Sequence, residues 1–462
     1  MYCAYTTTIK ELRKHSNADR LQCATIFGNN VIVDLTYREG QRVIYFPTDG
    51  QLSEEFANDN NLVRKKDDAG NNIGGYLDPD KRNITALKLR GEKSDGLVLP
   101  IEVLSKYADV NTLKDGEQIA ILNGHEICKK YIPRSNHRQG GSTSAGNRTR
   151  KKKVPVAPLF SEHADTEQLA YNLSAFKPND EIEITLKMHG TSQRTGYLPV
   201  FKGYKRSFLD RILRKDGTPI YDWGYVSGTR RTVLENFDGG YYGSNEFRES
   251  HSKFFEGKLM KGESVYYEVV GFTHTGTPIM ASCNNKKLND KEFVKQYGEE
   301  TVFSYGCTPT GKEGVGITER DVPQSDIYVY RMTITNEDGF VVEYSPDFMR
   351  YRCEQMGAKC VPVFYKGVIP DGQNIVFDME TEEQYEETAG DFVKKVAEDF
   401  YDGTDPIGKT HIREGVVVRI INRPKFTAYK HKNFNFKVLE GIIKDTALAP
   451  DMEEAQELTT NE

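Results

Sequence analysis

Lys187 is the residue whose position is best suited to covalent chemistry. It opens the segment 187–192 (KMHGTS), directly after residues 181–186 (EIEITL), in which polar and apolar side chains alternate. That alternation predicts a half-buried strand, which the lysine leaves at a turn containing Gly190. A lysine amine can attack an α-phosphate once it has lost its proton, and burial and neighbouring cations favour the neutral amine. An isolated K-x-x-G would more simply be a surface lysine beside a turn.

Further polar and aromatic side chains that could line the same pocket follow Lys187 at intervals. They are the arginines of 227–231 (SGTRR), an acid in 265–271 (VYYEVVG), an aromatic residue in 328–332 (YVYRM), an acid in 413–419 (REGVVVR) and a lysine in 434–439 (FNFKVL). Each of these segments alone has an ordinary structural explanation. Their order along the chain is the more specific signal.

This ordered set resembles the motifs of ATP-dependent RNA ligases, members of the covalent nucleotidyltransferase superfamily. Residues 187–192 resemble motif I in its RNA ligase form, in which His189 occupies the place of the Asp found in DNA ligases and capping enzymes. The later segments resemble, in the family's order, the arginine segment and motifs III, IIIa, IV and V. Such recurrence over about 250 residues argues against chance matches.

The resemblance implies a role for each side chain. Lys187 would be the adenylated nucleophile, His189 would contact the leaving group or orient the pocket, and Tyr330 would stack on adenine. Glu268 and Glu414 would bind the ribose or a divalent metal ion. Mg²⁺ (or Mn²⁺) is expected, because hard carboxylate ligands and phosphates suit it. ATP is the expected nucleotide.

Two of the implied roles have alternatives within the sequence. Arg231 is favoured as the residue that contacts the nucleotide or the 5′-phosphate, and Arg230 remains open. Lys437 is expected to hold the α-phosphate, although Asn435 stands where the family often has the first lysine of a K-x-K pair. Residues 430–432 (KHK) offer that spacing too, but the apolar, strand-like context favours Lys437.

A second resemblance lies near the N-terminus. Residues 15–26 (HSNADRLQCATI) resemble the signature of tRNA-binding OB-like modules, which also opens the N-terminal domain of the Deinococcus-type RNA ligases. An OB barrel binds single strands in a charged groove. Residues 93–96 (KSDG) match the motif I form of DNA ligases literally, but they follow a turn-like run, 90–92 (RGE), and not a strand.

The chain is expected to fold as an α+β protein in four segments. An OB-like nucleic-acid-binding domain at 1–133 precedes a flexible linker at 134–154, which is rich in Gly and Ser and carries seven cations without an acid. The adenylyltransferase domain follows at 155–445, with ATP-grasp-like antiparallel sheets and helices, and residues 446–462 form an acidic tail.

Composition excludes several other classes. The chain has 462 residues, 37% hydrophobic and 28% charged, and a net charge of −6, which is typical of a soluble globular protein. No apolar run approaches the ~20 residues of a membrane helix, and no signal peptide is recognisable. Seven scattered cysteines indicate free thiols in a reducing cytosol. A cytoplasmic monomer without a membrane partner is therefore expected.

These features together predict an ATP-dependent RNA ligase that joins 3′-OH and 5′-phosphate ends in RNA repair or nick sealing. The reaction would pass through a lysyl-AMP and an RNA-adenylate, and the partner would be RNA or an RNA-containing nicked duplex. A DNA ligase or capping guanylyltransferase is the nearest alternative, against which His189 argues. A non-catalytic tRNA- or RNA-binding protein is the other, against which Lys187, Glu414 and Lys437 argue.

Overall fold

The computed structural model describes most of the chain. The residues described are 2–66, 72–131, 154–164, 166–206, 217–234, 237, 242, 244–312, 321–371, 374–377 and 384–445. The predicted linker, apart from Val154, and the predicted acidic tail lie outside these ranges. Within them, no helix combines the length and the apolar character needed to cross a membrane.

The described residues form mostly antiparallel sheets and a smaller number of helices, which confirms the predicted α+β class. The α-helices are α1 (Glu54–Asp59), α2 (Glu246–Phe254), α3 (Lys291–Tyr297), α4 (Pro346–Met356), α5 (Ala389–Tyr401) and α6 (Phe434–Asp445). Short 3₁₀ helices are found at Ile101–Leu104, Leu169–Tyr171, Leu173–Ala175 and Asn285–Leu288.

The chain divides into two compact units. Unit 1 combines Met1–Pro133 with Lys287–Asn289 and Phe434–Thr446, and unit 2 is formed by Arg134–Lys286 and Asp290–Asn433. The sequence prediction had placed α6 in the domain at 155–445. In the structure α6 belongs to unit 1, because its Phe434 and Val438 pack on Ala86.

Unit 1 is built from short strands. They are β1 (Ala4–Thr8), β2 (Glu11–Lys14), β3 (Leu21–Ile26), β4 (Asn29–Asp34), β5 (Arg42–Phe46), β6 (Gly50–Leu52), β7 (Lys65–Lys66), β8 (Asn72–Gly74), β9 (Asn83–Ile84), β10 (Ala86–Leu89), β11 (Glu92–Asp95), β12 (Leu97–Pro100), β13 (Gln118–Ile119), β14 (Ile121–Leu122), β15 (His125–Glu126) and β16 (Cys128–Lys130). Four of them form a sheet in the order β12-β5-β1-β13, and three form a sheet in the order β2-β3-β4.

The core of unit 1 lies against β5, whose Ile44 and Phe46 are fully buried beside Phe56 of α1. Residues 31–35 and 42–47, whose β-branched and aromatic side chains favour strands, lie largely within β4 and β5. β12 ends at Pro100, because the chain turns there into a 3₁₀ helix. The alternative lysine, Lys93, lies on β11 of the β10-β11 hairpin.

Unit 2 contains the longer strands. They are β17 (Glu167–Gln168), β18 (Glu181–Leu186), β19 (Thr191–Lys205), β20 (Thr218–Gly228), β21 (Val233–Leu234), β22 (Glu263–Gly271), β23 (Cys283–Asn284), β24 (Glu300–Thr301), β25 (Ser325–Thr335), β26 (Val341–Glu343), β27 (Val363–Val368), β28 (Asn374–Phe377), β29 (Gln384–Glu387), β30 (Gly415–Ile420) and β31 (Thr427–Lys432). Two larger sheets result, ordered β17-β31-β30-β18-β27 and β21-β20-β19-β22-β25-β26.

The chain passes from one large sheet to the other through residues 187–190. It leaves the five-stranded sheet at the end of β18 and enters the six-stranded sheet at the start of β19. The first sheet packs on α5, with Ile184 and Val393 in one core. The second sheet packs on α4, with Val329 and Met349 in another. The connection between two separately anchored sheets is thus held in place from both sides.

Capping residues define where α4 and α5 begin. The sequence Ser345-Pro346 is typical of a helix start, and the Ser345 hydroxyl caps α4 by accepting a hydrogen bond from the backbone N–H of Phe348. α5 begins at Ala389, where Thr388 caps it, directly after β29. The strand expected around Lys437 is wrong, since this segment forms α6.

Candidate functional site

Lys187 and Glu414 lie together where two neighbouring interior strands of the five-stranded sheet end and begin. Lys187 follows β18 and Glu414 precedes its antiparallel neighbour β30, and the backbone N–H of Lys187 donates to the carbonyl of Gly415 over 3.0 Å. The Lys187 Nζ lies 2.7 Å from Glu414 Oε1. The lysine side chain is 22% exposed and the glutamate 2%. The carboxylate is therefore enclosed, whereas the amine remains open to a reactant.

Two further cationic or ionisable groups surround the Glu414 carboxylate. Lys432 ends β31, pairs with Gly415 across the sheet and places its Nζ 3.4 Å from Oε1. The Nδ1 of His189 lies 3.8 Å from Oε2. A buried carboxylate is costly unless it is paired, so these groups explain how Glu414 is tolerated. The arrangement gathers positive charge where a phosphate could replace the carboxylate as a partner.

Gly190 and Gly415 allow neighbouring backbone segments to lie close together around Lys187 and Glu414. Gly415 has a φ of +143°, and a Cβ there would lie 2.1 Å from the carbonyl oxygen of His431. At Gly190 a Cβ would lie 2.4 Å from the carbonyl oxygen of Val269. Neither position accepts a side chain without displacing backbone. Steric constraint thus accounts for the glycine that follows Glu414 and for the one that follows His189.

His189 is fixed by aromatic residues that the sequence analysis did not identify. Its backbone N–H donates to Tyr305 Oη over 2.7 Å, and its ring lies edge-on to Phe303 at 4.6 Å between centroids. Burial raises the pKa of Tyr305 well above its usual value, and the negative charges of Asp405, Glu414 and Glu268 add to this shift. Tyr305 therefore stays protonated and neutral beside the carboxylates.

Glu268 lies on β22 beside the turn of residues 187–190. It pairs with Ser192 across the sheet, and its Cγ would be 2.8 Å from a Cβ at Gly190. In the part of the chain that the structure describes, no group of three or more His, Cys, Asp or Glu side chains could hold a metal ion by itself. The oxygens of Glu268 and Glu414 suit Mg²⁺ or Mn²⁺, which usually binds one or two carboxylates together with water and substrate phosphates.

Tyr330 lies on β25 with its ring half-buried. Its Oη is 3.0 Å from the hydroxyl of Ser192, the second residue of β19, and the centroid of the His163 ring lies 5.1 Å from that of Tyr330. The hydroxyl contact ties Tyr330 to the strand that begins just after Gly190. The aromatic ring is therefore positioned by the same segment that positions Lys187.

The two candidate arginines differ in their surroundings. Arg230 is half-buried, and its charge acts together with burial to lower the pKa of His163 well below its usual value. Arg231 is exposed, and its carbonyl accepts a hydrogen bond from Arg194 Nη2 at 3.2 Å. The His163 ring contacts Tyr330, so Arg230 lies closer to the candidate nucleotide-binding residues than the exposed Arg231 does. Arg230, which the sequence left open beside Arg231, is therefore the arginine that we carry into the proposed function.

Lys437 is the remaining lysine that the motifs single out. It lies on α6 in unit 1, where its ammonium forms an ion pair with the carboxylate of Asp95. Lys432, in the segment 430–432 that also has K-x-K spacing, forms an ion pair with Glu414. The K-x-K spacing was the signal that could have found it. Phe303 and Tyr305 lie outside any strand, so no periodicity marked them.

The fold is similar to that of solved RNA ligases. Naegleria gruberi RNA ligase with PPi has a TM-score of 0.52 at 14% identity, over 94% of this chain and 98% of that chain. A lysine-to-alanine mutant of that ligase with ATP and Mn has a TM-score of 0.51 at 14% identity, over 96% and 98%. No protein-family model and no curated protein matches this sequence. The chain therefore shares its α+β fold with an RNA ligase.

Proposed function

We propose that the protein is an ATP-dependent RNA ligase that joins a 3′-OH to a 5′-phosphate, with Lys187 as its adenylated nucleophile. The observation that carries the proposal is the convergence of Lys187, Lys432 and His189 on one enclosed carboxylate, Glu414. An ordinary surface lysine would have no need of a buried partner. A lysine that attacks a polyanion needs a counter-charge before the nucleotide binds, and it needs further cations beside the phosphates during the reaction.

In the first step the neutral amine of Lys187 attacks the α-phosphorus of ATP. An N–P bond forms, the bond from that phosphorus to the bridging oxygen breaks, and pyrophosphate leaves. Glu414, in hydrogen-bonding range of Nζ at 2.7 Å, is positioned to receive the proton that the ammonium must lose. Lys432 offsets negative charge on the phosphates.

In the second step an oxygen of the RNA 5′-phosphate attacks the lysyl-AMP, the N–P bond breaks, and an RNA-adenylate forms. In the third step a 3′-OH attacks the 5′-phosphate of that adenylate. A phosphodiester forms, AMP leaves and the hydroxyl proton is released. Phosphoryl transfer of this kind depends on positioning and charge neutralisation more than on covalent chemistry by the protein.

The remaining site residues bind the nucleotide in this proposal. Tyr330 stacks on adenine, Arg230 contacts a phosphate, and Glu268 and Glu414 hold a divalent ion or the ribose. A bound Mg²⁺ or Mn²⁺ would supply further charge neutralisation at the phosphates. Support comes from the similar Naegleria gruberi ligase, which was solved with ATP and Mn.

Unit 1 has a supporting role in the proposal. Residues 15–26 and the many short strands are compatible with an OB-like module, which would hold RNA or a nicked duplex for the site in unit 2. The protein would act as a cytoplasmic monomer in RNA repair. This module assignment rests on the sequence resemblance.

One labelling experiment separates this function from the alternatives. The protein is incubated with α-labelled ATP or GTP and Mg²⁺, then denatured, and label on the polypeptide is measured. Label from ATP that Lys187→Ala removes supports the ligase, label from GTP supports a capping enzyme, and no label from either supports a binding protein without catalysis. Nicked RNA and nicked DNA offered side by side then identify the ligase class.

A further inference from the structure

Helix α2 is anchored on the six-stranded sheet by polar contacts as well as by its apolar side. Phe247 is buried in the core of that sheet. The Nε2 of His251 lies 2.9 Å from the hydroxyl of Ser325, the first residue of β25. The hydroxyl of Ser252 contacts that of Ser227, near the end of β20. Contacts to separate strands hold the helix in one place, so a side chain on α2 has a defined position relative to the sheet.

Arg248, on the same helix, reaches the first residues of β19. It is completely buried. Its Nη1 donates to the carbonyl of Ser192 over 3.0 Å, and its Nη2 donates to the hydroxyl of Thr191. In return, the side-chain amide of Gln193 donates to the backbone carbonyl of Arg248 over 2.8 Å. One residue of the helix thus holds three consecutive residues of the strand.

These contacts lie where β19 has only one strand paired with it. β22 pairs with β19 from Thr191 onward, whereas β20 pairs with it only from Arg194 onward. Ser192 is two residues beyond the end of the pairing with β20, and its carbonyl accepts the hydrogen bond from Arg248. Arg248 therefore holds a part of β19 that β20 does not reach.

The choice of an arginine at this position is not explained by stability alone. A buried cation costs free energy unless hydrogen bonds satisfy it, and a well-packed apolar side chain of similar size often stabilises a fold as well or better. What an arginine adds is a set of donors in a fixed, planar geometry. Here those donors determine where the carbonyl of Ser192 and the hydroxyl of Thr191 lie.

The residues that Arg248 holds adjoin the turn that carries Lys187. Thr191 and Ser192 directly follow residues 187–190, which connect the two large sheets. At its other end the turn is fixed to the five-stranded sheet by the hydrogen bond that the backbone N–H of Lys187 donates. A movement at either end would displace the amine of Lys187.

We infer that Arg248 is a positioning residue for adenylation, which acts through Thr191 and Ser192 to hold the turn that carries Lys187. The inference rests on the proposed function and adds to it a residue that lies outside the motifs. A displacement of a reacting group by about 1 Å can cost about 100-fold in rate. The loss of Arg248 should therefore lower the rate constant of adenylation much more than the affinity for ATP.

Time courses of adenylation separate a positioning role from a purely structural one. The full-length protein is mixed with α-labelled ATP and Mg²⁺ over a range of ATP concentrations, and label on the polypeptide is followed. Arg248→Met keeps the length of the side chain without its donors, and its rate constant at saturating ATP should be about 100-fold lower. The half-saturating ATP concentration should stay within about 3-fold of the wild-type value. Arg248→Lys, which keeps the charge and part of the donor set, should be intermediate.

A purely structural role would give a different pattern. It would lower the labelled fraction and the temperature of unfolding, but the rate constant of the folded molecules would stay at the wild-type value. Arg352→Met is the matched control, because this arginine is also buried and pairs with Glu263, five residues along β22 from Glu268. It should lower stability and leave the rate constant unchanged.

A second variant tests the path through which Arg248 acts. Thr191→Val removes the hydroxyl that accepts from Nη2, and its rate constant should be about 10-fold lower. Because both changes break the same contact, the double variant should be no slower than Arg248→Met alone. Thr191→Val also provides the test on its own if Arg248→Met does not fold.

Three results would overturn the inference while the wild type is adenylated. They are a wild-type rate constant in folded Arg248→Met, a wild-type rate constant in folded Thr191→Val, and a double variant slowed by the product of the two single effects. A wild type that takes up no label would instead contradict the proposed function, and the inference with it. The failure of each is thus recognisable from the wild-type protein.

Discussion

The carboxylate of Glu414 contacts the ammonium of Lys187 at 2.7 Å from a position that is almost closed to solvent. The contact is fixed on both sides by backbone, since Lys187 donates its N–H to the carbonyl of Gly415. Glu414 therefore holds the amine at one place before a nucleotide enters. In the proposed reaction, the same contact gives the departing proton a short path.

Replacing Glu414 by glutamine should slow adenylation while the shape of the site is kept. The Glu414→Gln side chain has no charge to accept the proton, and Lys187 and Lys432 would face each other without a counter-charge. We expect a rate of label transfer from ATP that is about 100-fold lower or more. Glu299→Gln, on an exposed carboxylate, serves as the control and should keep the wild-type rate. A wild-type rate in folded Glu414→Gln would remove Glu414 from the chemistry.

A comparison of Lys432 with Lys437 tests which lysine serves the phosphates. Lys432→Ala removes an ammonium 3.4 Å from Glu414 and should lower the adenylation rate by about 100-fold. Lys437→Ala removes the partner of the Asp95 carboxylate and should instead lower the thermal stability of unit 1. The opposite pattern, with adenylation lost only in Lys437→Ala, would restore the assignment made from sequence.

Tyr330 offers a test of adenine stacking. Tyr330→Ala removes the ring and should raise the KM for ATP in adenylation about 2- to 10-fold. Tyr330→Phe loses only the hydroxyl that contacts Ser192 and should stay near the wild-type KM. Tyr351→Ala, on an exposed ring of α4, is the matched control. Equal KM values for Tyr330→Ala and the wild type would exclude stacking on this residue.

His251 should make stability depend on pH. Its ring is fully buried, Nε2 lies 2.9 Å from the Ser325 hydroxyl, and burial, with a smaller effect of Arg248, lowers its pKa to about 3. The unfolded value is about 6.5. Because the unfolded chain then binds the proton more tightly, this contribution to stability is complete above about pH 6.5 and is lost as the pH falls towards 3.

Urea unfolding at neutral and at acidic pH measures this effect. His251→Gln cannot take up the proton, so its free energy of unfolding should change less between the two conditions than that of the wild type, by up to about 1.4 kcal/mol per pH unit. His125→Gln, at an exposed histidine, should behave as the wild type does. An unaltered pH dependence in His251→Gln would show that this ring does not titrate on unfolding.

Local patterns were sufficient for the elements beside the site. The alternation over 181–186 predicted β18 with its bounds, and the pair Ser345 and Pro346 predicted the start of α4, because both signals act over a few residues. The strand-like reading of residues 434–439 was wrong, since they form part of α6. Their apolar spacing fits a strand as well as a helix, and packing on Ala86 in unit 1 is a long-range contact that the segment itself does not encode.

The K-x-K spacing marks Lys432 as a candidate, but only the strand register shows that its side chain reaches Glu414. Lys432 reaches Glu414 because it pairs with Gly415 across β30 and β31, and a register cannot be derived from either strand alone. The pairing of Phe303 and Tyr305 with His189 is likewise a contact between distant parts of the chain. Residues with motif spacing could therefore be predicted, whereas the side chains that support them could not.

In the proposed function Lys187 carries the adenylate. Mass spectrometry of the protein after incubation with ATP and Mg²⁺, with peptide mapping of any added AMP, tests this directly. We expect one AMP on the peptide that contains Lys187, and none in Lys187→Ala. AMP on another lysine such as Lys93, or a Lys187→Ala protein that is still adenylated, would contradict it.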